Sequence, residues 1–256
     1  LNGELTNLAQ YDISTGIWSN SYEAELYVYG ESYGVIWDVA VNRSTPYDQL
    51  IVVGAFDTVS KTSQVQYCSV GVWTGLSFNK VGEGLCPRGG ASNSVIMIHT
   101  SVLGDNGDLF VGGSFESRVW NGREFVDVHD IAYFKGNRLA WLPLEGGRLL
   151  CNVTVSPGCI PRVSALEWDP THQILFIGGK FDMIDDQHIP GGLCLWTQST
   201  GIIPFDGNQV GFGLSSNMPN GEVTSIAYEQ KSQSLFVAGN FFYINNIQCS
   251  SIAVWN

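Results

Sequence analysis

The sequence has few charged residues, no long apolar runs and little histidine. Asp, Glu, Lys and Arg make up 14% of the 256 residues, against about 25% in an average soluble protein. No apolar run approaches the ~20 residues that cross a bilayer as a helix, and no helical apolar period persists over a window of about 11 residues. These absences predict a soluble chain built from turns and sheets, without long helices or membrane spans.

Basic residues are half as common as acidic ones. Lys and Arg number 12 and Asp and Glu 24, which gives a net charge of −12 at pH 7. Because such a chain repels phosphate backbones, we predict no nucleic-acid partner. The chain also lacks an initial Met and a basic-then-apolar leader, so we expect an excerpt whose targeting signal was removed or lies elsewhere.

Glycine, in contrast, is abundant, with 30 residues, and it marks a fourfold repeat. Each copy of the repeat signature has three apolar residues, a small residue, Gly, any residue and Phe. The copies are Leu50 to Phe56, Leu109 to Phe115, Leu175 to Phe181 and Leu235 to Phe241, with landmarks Gly54, Phe56, Gly113, Phe115, Gly179, Phe181, Gly239 and Phe241. Successive landmark Phe residues are 59, 66 and 60 positions apart, which indicates one supersecondary unit per repeat.

Each unit contains up to four strand-like runs. One run precedes the signature across a short turn such as Asp105 to Asp108, and a third run ending in an aromatic residue follows it, with a fourth in three units. Four antiparallel strands per unit are typical of a propeller blade. We therefore predict an all-β fold, a β-propeller of four-stranded antiparallel blades, as an excerpt of a longer repeat array. The blades lie at about 31–90, 91–160 and 161–220, with partial blades at 1–30 and 221–256.

The repeat resembles two known propeller families. The doublets Gly112-Gly113 and Gly178-Gly179 resemble the kelch-type blade, in which a Gly-Gly doublet closes the second strand and a Trp sits on the third. The segments Ile131 to Phe134 and Ile252 to Trp255 are similar to the Ile-Ala-x-Trp element of Rax2-type cell-surface propellers of fungal cortical polarity proteins. The resemblance implies a cell-surface propeller and leaves its activity open, because propellers host many functions.

The six cysteines predict a disulfide framework. They are Cys68, Cys86, Cys151, Cys159, Cys194 and Cys249, and they allow 15 pairings. Cys68 and Cys86 oppose each other in a hairpin that turns near residues 75–77, and Cys151 and Cys159 flank a Pro-Gly turn. Cys194 and Cys249 remain as a third pair without a supporting register, with the alternative that Cys194 is a buried thiol.

Two glycosylation sequons agree with an oxidising compartment. They begin at Asn42 and Asn152, each in a predicted loop between strands. Because disulfides persist outside the cytosol, we predict a secreted or cell-surface glycoprotein.

The sequence contains few candidate catalytic residues or metal ligands. His99, His129, His172 and His188 fall in different layers of the units, and the acidic stretches Asp105 to Asp108 and Asp182 to Asp186 are better explained as a hairpin turn and a solvated loop. Motifs of serine hydrolases, zinc peptidases and phosphate-binding loops are absent. We therefore predict no catalytic residues, no metal and no cofactor. Trp73, Trp196 and Trp255 recur with the repeat and are expected to pack, whereas Trp120 does not recur.

Connections that vary while the strands repeat are typical of a binding rim. The variable stretches are 57–66, 116–130 and 182–192. They favour an extracellular structural or adhesion scaffold whose partners are other extracellular or cell-surface proteins, further copies of itself, or glycans. The alternative is a secreted carbohydrate-binding or carbohydrate-active propeller, a lectin or a galactose-oxidase-like enzyme.

Overall fold

The computed structural model describes residues 9–19, 27–28, 32–43, 49–56, 67–74, 77–86, 96–136, 138–152, 154, 158–189, 192–205, 221–244 and 247–256. Strands, turns and one short 3-10 turn at Asp105–Gly107 make up these ranges, which contain no α-helix. The all-β prediction is therefore confirmed. The same ranges hold no helix long and apolar enough to cross a membrane.

Four antiparallel sheets follow one another along the chain, each with strands that pair in chain order. The first comprises β5 (Val35–Asn42), β6 (Gln49–Ala55), β7 (Val70–Trp73) and β8 (Phe78–Lys80), and the second β9 (Met97–Leu103), β10 (Leu109–Trp120), β11 (Phe125–Lys135) and β12 (Ala140–Pro143). The third comprises β14 (Arg162–Asp169), β15 (Ile174–Lys180), β18 (Leu193–Thr197) and β19 (Gly201–Pro204), and the fourth β20 (Glu222–Glu229), β21 (Ser234–Asn240) and β24 (Ile252–Trp255).

Short strands form four smaller sheets beside these. They pair β1 (Gln10–Asp12) with β2 (Ile17–Ser19), β3 (Tyr27–Val28) with β4 (Ser32–Tyr33), β16 (Met183–Ile184) with both β13 (Leu149–Leu150) and β17 (Gln187–His188), and β22 (Tyr243–Ile244) with β23 (Ile247–Gln248).

The repeat signature forms the second strand of every main sheet and sends alternate side chains to its two faces. In the second sheet, Leu109 and Val111 pack towards the first sheet and Phe110 towards the third. In the third sheet, Phe176 packs towards the fourth. Each pair of successive sheets therefore shares one apolar core. Within the described ranges, no apolar core cluster joins the first sheet to the fourth.

The glycine at the fifth signature position is required by the close approach of two backbones. A Cβ at Gly54, Gly113, Gly179 or Gly239 would collide with a carbonyl oxygen on the first strand of the same sheet, that of Val35, Met97, Arg162 or Glu222 respectively. The fourth position is less strict. A Cβ at Gly112 or Gly178 would meet a Val side chain of the next sheet, and Val53 and Ala238 occupy this position in the other units.

A residue with left-handed backbone geometry precedes the part of the third strand that pairs with the signature. The φ angle is 68° at Ser69, 55° at Asp130, 86° at Gly192 and 66° at Ser251. At Ser69, Gly192 and Ser251 the carbonyl accepts a hydrogen bond from the fifth-position glycine, and the N–H donates to the carbonyl of the signature Phe. This pair of hydrogen bonds closes the loop between the signature and the third strand. The residue type does not predict the left-handed position, because Ser, Asp and Gly all occur at it.

Two disulfides are present and two thiols are free. Cys68 bonds to Cys86 and Cys151 to Cys159, with Cα–Cα distances of 4.8 and 5.9 Å. The prediction that Cys194 and Cys249 are disulfide-bonded is wrong, because both are free in this structure. Cys194 is buried in the core between the second and third sheets, and Cys249 packs against the core between the third and fourth. The third sheet therefore separates the two sulfur atoms.

The expected variable loop at 116–130 is instead an ordered hairpin. Strands β10 and β11 pair as far as Trp120 and Phe125, and they turn at residues 121–124. The strands extend this far because Val119 and Val128 are buried in the core shared with the first sheet. The stretch 182–192 contains β16 and β17, whereas 57–66 lies outside the described residues.

Candidate functional site

A cleft of about 360 Å³ opens between the second and third sheets. Its lining comes from the turns that join first to second and third to fourth strands, at residues 105–108 and 135 in the second sheet and 172–173 and 197–199 in the third. In an antiparallel meander these turns share one end of the sheet. The cleft thus lies at the end opposite the β10–β11 hairpin.

Four aromatic rings form the apolar part of the cleft. Phe110 stacks between Tyr133 and Trp168, with centroid distances of 5.5 and 5.4 Å and interplanar angles of 22° and 21°. Trp196 lies tilted 5.6 Å from Phe110. Phe110 and Trp196 are buried and form the floor, whereas Tyr133 and Trp168 are half-buried and form the walls. A bound molecule would therefore meet the rings of Tyr133 and Trp168.

Two carboxylates of the second sheet stand beside these rings. Asp105 Oδ1 accepts a 3.5 Å hydrogen bond from the indole N–H of Trp168, which ties the two sheets together. Asp108 Oδ1 accepts the N–H of Gly136 at 3.1 Å. Burial, followed by the negative charge of Asp108, raises the pKa of Tyr133. Within the described part of the chain, each carboxylate thus accepts a side-chain or backbone hydrogen bond at one oxygen only.

The third sheet fixes the opposite edge of the cleft through the buried residue Asp169. Its Oδ1 accepts the N–H groups of Thr171 at 2.8 Å and His172 at 3.4 Å, and its Oδ2 lies 2.5 Å from His172 Nδ1. Burial by itself would raise the pKa of Asp169, but the hydrogen bonds from His172 and Thr171 outweigh it and the pKa is lowered. This contact holds the His172 ring at the cleft.

The rim and the floor carry unused hydrogen-bonding groups. The exposed side chains of Gln173 and Gln198 make no hydrogen bond to another described residue. At the floor, the indole N–H of Trp196 is buried without a partner in the described ranges. Donors and acceptors therefore stand together beside an aromatic surface.

The residues singled out from the sequence as possible metal ligands are dispersed. His99 lies on β9, His129 on β11 and His188 on β17, and only His172 reaches the cleft. Among the described residues, no group of three or more His, Cys, Asp and Glu side chains is placed to hold a metal ion.

The acidic stretches have structural partners. Asp182 Oδ1 accepts the N–H of Asn152, and Asp185 Oδ1 accepts the N–H of Arg148 at 2.8 Å. They hold the chain around β13 against β16.

The two sequon asparagines sit beside strands. Asn42 ends β5, and Asn152 follows β13, where its Oδ1 accepts the N–H of Thr154 at 3.0 Å. Residues 44 and 153 of the sequons lie outside the described residues.

A second surface feature is the aromatic tip of the β10–β11 hairpin. Trp120 and Phe125 face each other across the last strand pair with ring centroids 5.2 Å apart, and they are 43% and 58% exposed. The guanidinium of Arg118 lies 5.7 Å from the centre of the Phe125 ring. Trp120 stands out in the sequence because it does not recur, whereas its pairing with Phe125 requires the register of the hairpin.

Sequence reasoning missed the cleft. Trp168 is the penultimate residue of a repeating strand, and Gln173 and Gln198 occupy ordinary turn positions. The available signal was that turns of adjacent units must lie at the same end of the molecule.

Comparison with known proteins gives a likeness in fold. No protein-family model matches the chain, and no curated protein matches it. The fold is similar to the crystal structure of the extracellular domain of the putative one-component system BT4673 from B. thetaiotaomicron, with a TM-score of 0.53 and 10% sequence identity. The match covers 98% of this chain and 25% of that one. At this identity the likeness concerns the fold alone.

Proposed function

We propose that this chain is part of a kelch-like or Rax2-type β-propeller and acts as an extracellular scaffold. In this proposal it binds other extracellular or cell-surface proteins through the connections that project from its sheets. The observation that carries the binding role is the exposed aromatic tip at Trp120 and Phe125.

The packing of successive sheets supports the propeller. The first strands of neighbouring sheets contact one another in the order β5, β9, β14 and β20, as the innermost strands of blades around an axis do. Polar bonds reinforce this inner layer. Asp38 Oδ2 accepts the Ser101 N–H at 2.7 Å, and Arg162 pairs with Glu222. We propose that further units of the same repeat complete the ring.

The location outside the cell is supported by the two disulfides, because such bonds persist in oxidising compartments. The similar structure is likewise described as an extracellular domain.

We propose in addition that Asn42 and Asn152 carry glycans. Secretion from a eukaryotic host followed by removal of N-linked glycans should lower the mass of the protein, and Asn42→Gln and Asn152→Gln should each remove part of that difference.

The hairpin tip has the composition of a protein-binding hot spot. Trp and Arg are enriched among the residues that dominate protein–protein binding energy, and Arg118 lies beside the Trp120 and Phe125 pair. The tip stands on strands anchored by buried Val119 and Val128. Because the strands of the hairpin are already paired as far as its tip, binding requires little further ordering of the backbone, which lowers its entropic cost.

The test is binding of the fluorescently labelled chain to the surface of cells that produce it, measured by flow cytometry. The double variant Trp120→Ala with Phe125→Ala should reduce binding at least about tenfold, since each hot-spot side chain contributes roughly 2 kcal/mol or more. Prior treatment of the cells with protease should have the same effect. The control is Leu139→Ala, which removes an apolar side chain that is 74% exposed and lies at the opposite end. Unchanged binding by the tip variant would contradict the proposal.

A further inference from the structure

We infer that the cleft between the second and third sheets is a binding site for a neutral saccharide. The proposal is independent of the hairpin tip, because the two sites lie at opposite ends of the sheets.

The hydrogen-bonding groups of the cleft favour a ligand rich in hydroxyl groups. Asp105 and Asp108 each keep one carboxylate oxygen that accepts no hydrogen bond from another described residue, and carboxylate oxygens only accept hydrogen bonds. Lys135 offers an ammonium group, which only donates. Gln173 and Gln198 can do both. A hydroxyl group donates and accepts at once, so a molecule with several of them satisfies both kinds of partner from one position.

The aromatic walls add the second requirement, which is an apolar face on the ligand. Tyr133 and Trp168 are half-buried, and Phe110 fixes their rings by stacking between them. Such rings pair a broad apolar surface with polar tips. A pyranose ring has the matching shape, because its C–H bonds form an apolar face and its hydroxyl groups point outward from the edge.

Charge argues against the simplest competing ligands. The cleft carries the carboxylates of Asp105 and Asp108 together with Lys135 and His172, and the whole chain has a net charge of −12, so an isolated anion is disfavoured. A cation would pair with the carboxylates but would be repelled by the ammonium group of Lys135, which lines the same cleft.

The experiment is titration of the purified chain with glucose, galactose, mannose, N-acetylglucosamine, lactose and cellobiose, followed by tryptophan fluorescence and calorimetry. At least one sugar should bind with a Kd of roughly 1 mM or below. Trp168→Leu should weaken that binding at least about tenfold, and Gln198→Ala about threefold, as expected for loss of one aromatic and one polar contact. Trp120→Leu, an exposed aromatic outside the cleft, should change the Kd less than about twofold.

Two further measurements separate binding from folding. Trp168→Phe keeps an aromatic ring on Phe110 and should retain more affinity than Trp168→Leu, and Gln198→Ala alters only an exposed turn, so its melting temperature should match that of the parent chain. The inference is overturned if no sugar binds at roughly 50 mM, if Trp120→Leu weakens binding as much as Trp168→Leu, or if choline or inorganic phosphate binds more tightly than every sugar.

Discussion

Arg162 and Glu222 form a two-pronged ion pair that joins the first strand of the third sheet to the first strand of the fourth. The guanidinium Nε lies 2.7 Å from Oε1 and Nη2 lies 2.5 Å from Oε2. Ser164 Oγ donates a third hydrogen bond to Oε1 at 2.8 Å. One carboxylate therefore fixes the spacing of two sheets on the inner layer, as Asp38 does between the first and second sheets.

Glu222→Gln should lower the free energy of unfolding by about 1–2 kcal/mol. This value lies between the contributions of exposed and of buried ion pairs, because the Arg162 side chain is 43% exposed. Burial alone would raise the pKa of Glu222, but the hydrogen bonds from Arg162 and Ser164 outweigh it and the pKa is lowered. Stability from this group is therefore present above the ordinary glutamate pKa of about 4.3 and lost as pH falls through the lower folded value. Urea unfolding of both proteins between neutral and acid pH measures this contribution of Glu222 to stability.

The control for this prediction is Glu116→Gln, which breaks the more exposed Arg148–Glu116 pair. Its cost should stay below about 1 kcal/mol. An equal loss in both variants would show that the inner ion pair adds nothing beyond a surface contact.

Adjacent glycines of the third sheet should respond very differently to the same substitution. Gly179→Ala places a Cβ against the backbone of Arg162, which cannot move without breaking the strand pair, so we expect a loss above about 4 kcal/mol or failure to fold. Gly178→Ala meets only the side chains of Val223 and Ile226 and should cost about 1–3 kcal/mol. Soluble yield and urea unfolding distinguish the two. Similar stabilities would refute the close-approach explanation.

Phe176 and Phe236 occupy the same signature position in the third and fourth sheets, and their substitution tests whether the outer face of each sheet is covered. Phe176 is 4% exposed beneath the fourth sheet, whereas Phe236, at the same signature position, is 40% exposed. Phe176→Ala should therefore cost about 3–5 kcal/mol, and Phe236→Ala about 1 kcal/mol. Chemical denaturation of both variants is the measurement. Equal losses would mean that the outer face of the fourth sheet is covered in solution.

Asp130 should make the protein less stable as pH rises. Burial raises the pKa of its carboxyl group from 3.8 to about 7, although the Phe115 N–H and the Arg148 charge oppose the shift. The folded state then holds a proton that the unfolded state has lost, so stability falls between about pH 4 and pH 7. Asp130→Asn should remove this dependence and gain up to about 4 kcal/mol near pH 8, from 1.36 kcal/mol per pKa unit.

Asparagine is a matched replacement at this position. It also accommodates a positive φ and can accept the Phe115 N–H. Urea unfolding of both proteins from pH 4.5 to 8 gives the comparison, and parallel stability curves would contradict the prediction. The difference between the two stability curves, not either curve alone, reports on Asp130.

The sequence by itself determined the strands of the repeat, the fifth-position glycines and the two local disulfides. These features depend on interactions within one sheet: the period of two in the apolar residues, the approach of neighbouring strands, and short turns that return Cys68 towards Cys86. Tertiary structure alone decided the features shared between sheets. The separation of Cys194 from Cys249, the burial of Asp130 and the cleft lined by Trp168 and Gln198 all depend on how units about sixty residues apart pack together. Local periodicity fixes which face a side chain takes, but only the packing of one sheet on the next fixes what that face meets.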